Sequence, residues 1–188
     1  MADATTERNR DDEVSAEKKL DDLYELIDGI EIAMFTTRRP DGHLVSRAMA
    51  TQQRTAGADL WFVTDVNTHK LDELVFDPHV NVSYFRDRTM EWVSVSGTAT
   101  ISQDRAKIHE LYAPDWRAWF GDEGGERNGG PDDPRLALVL VEAHSVTYQK
   151  VNVPRPVLLF QVAKAIVTGT PPKTSEVREI GTEELHRD

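Results

Sequence analysis

The segment LWFVTDVNTHKLDEL, at residues 60–74, combines a strand, a polar turn and the beginning of a helix. Its first four residues are apolar and β-prone, and turn residues flank them, so they predict a buried strand. Asn67 or Thr68 is then expected to cap a helix. The apolar residues of that helix follow a three- and four-residue spacing: Leu71, Leu74 and Val75.

The turn within this segment contains groups that favour an anion. Thr64 and Thr68 supply hydroxyls, Lys70 supplies a positive charge, and the helix start supplies free backbone N–H groups. Together these groups are suited to a phosphate. For this segment alone, an ordinary capped helix after a strand is the simpler interpretation.

A second cation changes the balance between these interpretations. Arg47 lies in the middle of the predicted strand HLVSRAMATQQ, at residues 43–53, among small and apolar residues. An arginine there needs either an anion or solvent. If the two strands are neighbours, Arg47 and Lys70 converge on one terminal phosphate of about −2 charge. The small residues beside Arg47 would then leave room for a flat ring: Ala48, Met49 and Ala50.

Composition restricts the classes of protein and partner. The chain has 188 residues, 39 % of them hydrophobic and none of them cysteine, with a net charge of −11. These values predict one soluble, cytoplasmic domain that binds neither nucleic acid nor membrane. We expect a polar, disordered N-terminal tail at residues 1–14, a folded domain at 15–170 and a polar C-terminal tail at 171–188.

The order of turns and apolar runs predicts a mainly β, α+β fold. Arg39-Pro40-Asp41-Gly42 is typical of a hairpin turn, and most of the other predicted strands are also joined by short turns. Six or seven strands with two or three short helices indicate an antiparallel barrel or sandwich. Residues 121–134 form a glycine-rich acidic loop, which we interpret as a surface loop or a lid.

No common catalytic motif is present. The chain lacks the phosphate-binding GxxxxGK[ST] and GxGxxG patterns, the metal-binding HExxH pattern and the GxSxG nucleophile pattern. The six histidines are scattered, so we predict no metal site and assign no catalytic residue.

Six ordered segments nevertheless resemble one known family. These are SRAMAT, LWFVTD, NTHKLDEL, DPHVNVSYF, WVSVSGTATI and DRAKIHELY, followed by a Trp-Phe pair. In this order they resemble the general stress protein branch of the pyridoxamine-5′-phosphate-oxidase-like flavin-binding proteins, over residues 15–170. The resemblance implies a split β-barrel and a homodimer with FMN between subunits, and it does not separate FMN from FAD.

The resemblance also implies roles for individual residues. Arg47, Thr68 and Lys70 would bind the flavin phosphate, with His69 nearby. Ring contacts would come from Ala48, Met49, Ala50, Val63 and Thr64, and Trp92 would lie close to the ring. Three further aromatic residues would cap a ring, fill a dimer interface or simply pack in the core: Trp116, Trp119 and Phe120.

The chain departs from the family at positions that bind substrate in the oxidase. Gln52 stands where the oxidase has a lysine, and the C-terminal Arg-x-His motif has no match. Tyr148 and Gln149 replace a Tyr-Trp pair of the stress branch. We therefore expect a flavin-dependent oxidoreductase without pyridoxamine phosphate oxidase activity. The alternatives are a flavin-sequestering protein without turnover, a deazaflavin- or haem-using relative, and a structural dimer with an empty site.

Overall fold

The computed structural model describes residues 7, 9–11, 13–54, 59–151, 155–169 and 173–186. Most of the predicted disordered tail at residues 1–14 lies outside the described residues. Within them, seven strands follow one another along the chain: β1 (Ile32–Arg38), β2 (Leu44–Ala50), β3 (Leu60–Asp65), β4 (His79–Arg86), β5 (Glu91–Ser102), β6 (Leu136–Lys150) and β7 (Glu176–Gly181).

Short helices separate some of these strands. They are α1 (Ala16–Ile30), α2 (His69–Phe76), α3 (Arg105–Leu111), α4 (Arg117–Phe120), α5 (Arg155–Thr168) and α6 (Thr182–Leu185), with a 3₁₀ helix at Pro114–Trp116. In the described residues, none of these helices is long and apolar enough to cross a bilayer.

The strands pair in the order β2-β1-β4-β5-β6-β3, and β7 pairs with β6. The pairing is antiparallel. These features confirm the predicted class, a mainly β, α+β fold with an antiparallel split β-barrel of six to seven strands and short flanking helices. Strands β2 and β3 are the two ends of the pairing order.

The chain divides into two compact units. The first comprises Met1–Ile30, Val82–Val95 and His144–Asp188, and the second comprises Glu31–Asn81 and Ser96–Ala143. Most of the predicted site residues belong to the second unit, which is therefore described in more detail.

The hairpin of β1 and β2 forms where the sequence predicts it. The backbone N–H of Gly42 donates to the carbonyl of Arg39 at 2.9 Å, and the φ angle of Gly42 is 88°. A positive φ is a conformation that glycine adopts at little cost. The turn sets the strand register, which places Arg47 opposite Phe35.

The core of the second unit is built from β3 and β6. Leu60, Trp61 and Phe62 are all at most 3 % exposed, as predicted for a buried strand. The apolar part of β6, residues 136–141, lies beside β3 and is also almost fully buried. Residues of the same unit cover this run, since Trp61, Ile108 and Trp116 form one buried cluster with Leu136 and Leu138.

Gly97 permits a close approach of two backbones in the second unit. A Cβ atom at this position would lie 2.1 Å from the carbonyl oxygen of Glu142. Such a distance is far shorter than any van der Waals contact, so a side chain here would force β5 and β6 apart.

A buried ionic cluster lies in the first unit. Arg178, on β7, donates to carboxylates of Asp11, Asp22 and Glu176. Asp22 is 2 % exposed. Burial alone would raise its pKa, but hydrogen bonds from three cations, the first of them Lys150, lower that pKa to about 2. The segment that we predicted as a polar C-terminal tail thus contains a strand with a buried arginine.

Candidate functional site

The polar turn after β3 brings two hydroxyls and a cation together. The Lys70 ammonium donates to Thr64 Oγ1 at 2.5 Å. Thr64 Oγ1 lies 3.4 Å from Thr68 Oγ1, which itself donates to the carbonyl of Asp65. Thr68 is the N-cap residue of α2, but its side chain caps no helix N–H. Its hydroxyl instead holds the turn closed.

The positive charge of Arg47 is part of the environment of Lys70. The pKa of Lys70 falls from its ordinary value to about 8, first because burial disfavours the charged form and second because of the positive charge of Arg47. The two cations thus act on one another. We call Arg47, Thr64, Thr68 and Lys70 the anion corner.

Arg47 is held in this corner by a carboxylate that sequence analysis did not identify. Its guanidinium donates to Thr37 Oγ1 at 2.8 Å and to Glu73 Oε2 at 2.7 Å. Glu73 is 4 % exposed and also accepts from Thr37 Oγ1 and Arg39 Nε. Although burial opposes it, hydrogen bonds from Thr37 and Arg47 lower the pKa of Glu73. Glu73 is one helical turn from Lys70, a spacing that the sequence did show.

A cavity of about 320 Å³ adjoins the anion corner, at the low end of the volume range of small-molecule sites. Five of the predicted site residues line it: Ala48, Met49, Ala50, Val63 and Lys70. The two alanines are exposed, whereas Met49 is 8 % exposed. The cavity therefore lies beside β2 and β3, on the face of β2 that carries the two alanines.

The 3₁₀ helix and α4 supply an aromatic wall for this cavity. Trp116, Trp119 and Phe120 line it, together with three residues not predicted for the site: Ile32, Gln52 and Asp115. Trp116 is 2 % exposed, and its indole N–H donates to Gln52 Oε1 at 3.0 Å. Its ring packs edge-on against Tyr112, with the ring centroids 5.4 Å apart. Trp116 is thus both a core residue and a wall residue, while Trp119 is 82 % exposed.

The glycine-rich loop at residues 121–134 is fixed to this wall by Arg135. The Arg135 guanidinium is 3 % exposed and donates to the carbonyls of Phe120 and Gly121 at 2.7 and 3.0 Å. It also forms an ion pair with the buried carboxylate of Asp133. Hydrogen bonds from Arg135 and backbone N–H groups hold the pKa of Asp133 at about 2, against the opposing effect of burial. Arg135 thus contacts residues at both ends of the loop and holds these ends together.

Two predicted residues belong neither to the cavity lining nor to the anion corner. The His69 side chain is 96 % exposed and faces a separate, shallow concavity beside Arg39 and Asp72. Trp92 is half-buried and belongs to the first unit. Among the described residues, no group of three or more histidines and carboxylates is arranged to hold a metal ion.

Comparison with known proteins finds a family model and a relative that each match most of the chain. The model of the family described as "Pyridoxamine 5′-phosphate oxidase like" matches residues 18–173. The chain is 37 % identical to protein bli-3 of Neurospora crassa over 190 residues, which is 98 % of this chain and 90 % of that protein.

Solved structures share the fold at lower identity. A protein related to general stress protein 26, from Clostridium acetobutylicum, superposes with a TM-score of 0.65 at 17 % identity, covering 92 % of this chain and all of that chain. The general stress FMN/FAD-binding protein of Xanthomonas citri superposes with a TM-score of 0.55 at 23 % identity, covering 68 % of this chain and 84 % of that chain. The family match spans most of the chain and includes the strands and helices that form the cavity. The chain therefore belongs to the pyridoxamine 5′-phosphate oxidase-like family.

Proposed function

We propose that this protein binds FMN, with the phosphate in the anion corner and the flavin ring in the adjoining cavity. The observation that carries the proposal is the placement of the Lys70 ammonium beside the hydroxyls of Thr64 and Thr68, with the positive charge of Arg47 close enough to lower the pKa of Lys70. Like charges held together lose repulsion when a dianion binds between them. The flavin-binding description of the Xanthomonas citri relative supports the same proposal.

The cavity suits a flat ring for a simple steric reason. Ala48 and Ala50 project only methyl groups, and Val63 adds a further apolar side chain to the lining. Aromatic side chains on the facing wall offer edge and face contacts to a conjugated ring. The flavin would supply the redox chemistry, while the protein would bind its phosphate, orient its ring and limit access of water.

The role that we propose is that of a flavin-dependent oxidoreductase in a stress response, in the cytoplasm. The general stress proteins with the same fold support this role by analogy. A flavin-sequestering protein without turnover is the main alternative. Gln52 carries no charge, and its side-chain oxygen accepts a hydrogen bond from the Trp116 indole. We therefore expect no oxidation of pyridoxamine phosphate.

We also propose a homodimer. Ile32, Met34 and Leu44 are 50 %, 46 % and 66 % exposed on the β1–β2 hairpin. Register places Ile32 opposite Ala50 and Met34 opposite Ala48, so this apolar surface continues into the cavity lining. A second copy that covered the hairpin would also shield the cavity from water.

Absorbance spectroscopy of the purified protein, followed by titration of the apo-protein, tests the proposal. We expect a flavin spectrum and an FMN dissociation constant in the micromolar range or below. Riboflavin, which lacks the phosphate, should bind at least tenfold more weakly. Equal affinities for the two compounds would show that the anion corner does not bind the phosphate. Bleaching of the flavin band by NADH or NADPH, with recovery in air, would separate an oxidoreductase from a sequestering protein.

A further inference from the structure

The aromatic wall and the anion corner contribute opposite charges to the cavity. Of the described residues that line the cavity, two are ionisable: Lys70 and Asp115. Lys70 belongs to the anion corner, where its ammonium donates to Thr64. Asp115 belongs to the 3₁₀ helix that forms the wall, immediately before Trp116. The wall therefore contributes a carboxylate and no cation to the cavity.

Two cations next to the wall do not change this pattern. Arg117 follows Trp116, but its Nε donates to the carbonyl of Asn128, in the glycine-rich loop, at 3.2 Å. Arg135 is buried beneath the same loop and pairs with Asp133. Neither of them lines the cavity. Asp115 itself is exposed, and no hydrogen bond or ion pair within the described residues satisfies its carboxylate.

The wall also presents aromatic surface. The Trp119 side chain lines the cavity and is 82 % exposed, which is unusual for so large an apolar group. Trp116 is fixed by its hydrogen bond to Gln52 and by edge contacts with Tyr112 and Trp61. Trp119 and Asp115 line the same cavity, and an indole face and a carboxylate both attract cations, because the ring quadrupole and the negative charge act in the same direction. The same pair repels anions.

From this juxtaposition we infer that the wall selects the second ligand of the cavity by charge. We propose that this ligand, which meets the bound flavin at the wall, is a planar compound that is uncharged or cationic, and never a phosphate ester or carboxylate. The inference rests on the proposed function, since it needs a flavin in the cavity. The proposed ligand carries no phosphate, because neither Gln52 nor Asp115 supplies a positive charge that would bind one.

Three pyridines of nearly equal size and shape test this charge selection: 1-methylnicotinamide, which is cationic, nicotinamide, which is neutral, and nicotinate, which is anionic. Each is titrated into the FMN-loaded protein at low ionic strength, and the perturbation of the flavin absorbance gives a dissociation constant. We expect the cation to bind on the order of tenfold more tightly than the anion, from an exposed charge contact together with a cation–π contact. The neutral compound should lie between them.

The variant Asp115→Asn should abolish most of this preference, and Trp119→Ala should weaken all three compounds. Asp87→Asn serves as the matched control, since Asp87 is an exposed carboxylate on a turn of the first unit and its loss changes the net charge equally. Nicotinate binding as tightly as 1-methylnicotinamide, or an unchanged preference in Asp115→Asn, would overturn the inference. FMN affinity is measured separately. Loss of flavin binding would refute the proposed function, whereas retained flavin binding without charge selection would refute this inference alone.

Discussion

The guanidinium of Arg47 donates to Glu73 Oε2 at 2.7 Å, and that carboxylate is almost completely buried. Arg47 comes from β2 and Glu73 from α2, so the pair links the hairpin to the helix that also carries Lys70. A buried carboxylate requires such partners, because removing its charge from water is costly. The pair thereby fixes the orientation of a cation in the anion corner.

The first prediction concerns the two cations of the anion corner. Lys70→Ala and Arg47→Ala should each weaken FMN binding by about 10- to 150-fold, since a hydrogen bond to a charged group contributes roughly 1.5–3 kcal/mol. The double variant should lose less than the sum, because both residues contact one phosphate. Fluorescence titration with FMN measures the constants, and riboflavin is the control ligand. A folded Lys70→Ala protein that binds FMN within twofold of the parent would place the phosphate elsewhere.

The second prediction concerns Glu73 as a positioning residue. Glu73→Gln leaves Arg47 without its charged partner, so we expect a loss of about 3 kcal/mol in unfolding free energy. FMN affinity should fall several-fold while riboflavin affinity changes little, since the phosphate, which Arg47 would bind, is present only in FMN. Glu110→Gln, at an exposed helical position, is the control. An equal loss for both ligands would mean that Glu73 acts on the fold and not on the corner.

The third prediction is a pH dependence of FMN binding. The pKa of Lys70 is about 8 in the free protein, so its ammonium is present below that pH and is lost as the pH rises through it. A bound phosphate dianion favours the charged form and raises this pKa. FMN affinity should therefore be nearly constant up to about pH 7, be about halved at pH 8 and fall by up to about tenfold per unit above that.

The variant Lys70→Arg is the control for this pH dependence, because a guanidinium keeps its charge to beyond pH 12. Its FMN affinity should stay level up to pH 9.5. Riboflavin affinity should be level for both proteins over this range. An FMN profile that is level for the parent protein would show that the titration of Lys70 is not coupled to phosphate binding.

The fourth prediction concerns acid stability. The pKa of Asp22 is lowered from 3.8 to about 2 in the folded protein. Its stabilising contribution is therefore present above the unfolded value of 3.8 and is lost as the pH falls from there towards 2. At neutral pH it amounts to about 2 kcal/mol. Urea denaturation of Asp22→Asn between pH 2 and 7 should show a deficit that shrinks with acid, whereas Asp21→Asn, an exposed neighbour, should match the parent throughout.

The fifth prediction is the homodimer. Light scattering at micromolar concentration should give about twice the chain mass of 21.2 kDa. Leu44→Lys places a charge on the exposed face of the hairpin and should shift the protein to monomer. Val75→Lys, which is equally accessible on α2 at 79 % exposure, should leave the dimer intact. A monomeric parent protein would contradict the prediction directly.

The local features of the fold could be read from the sequence because neighbouring residues determine them. The Pro-Asp-Gly turn fixes the β1–β2 hairpin, and the apolar run at residues 60–63 forms the buried strand β3. Turn geometry and hydrophobic period act over a few residues, so they survive without tertiary context. Three of the four residues of the anion corner are local for the same reason, since Thr64, Thr68 and Lys70 lie within seven residues of one another.

Tertiary structure decided what these local pieces contact. The pairing of Arg47 with Glu73, and the placement of Gln52 against Trp116, join residues 26 and 64 positions apart. Sequence spacing carries no signal for such contacts, because they depend on how strands register and how helices pack on them. Which apolar segments are buried also depended on tertiary structure. The most apolar segment of the chain, residues 136–141, is covered by its own unit, while the modest apolar face of Ile32, Met34 and Leu44 stays exposed.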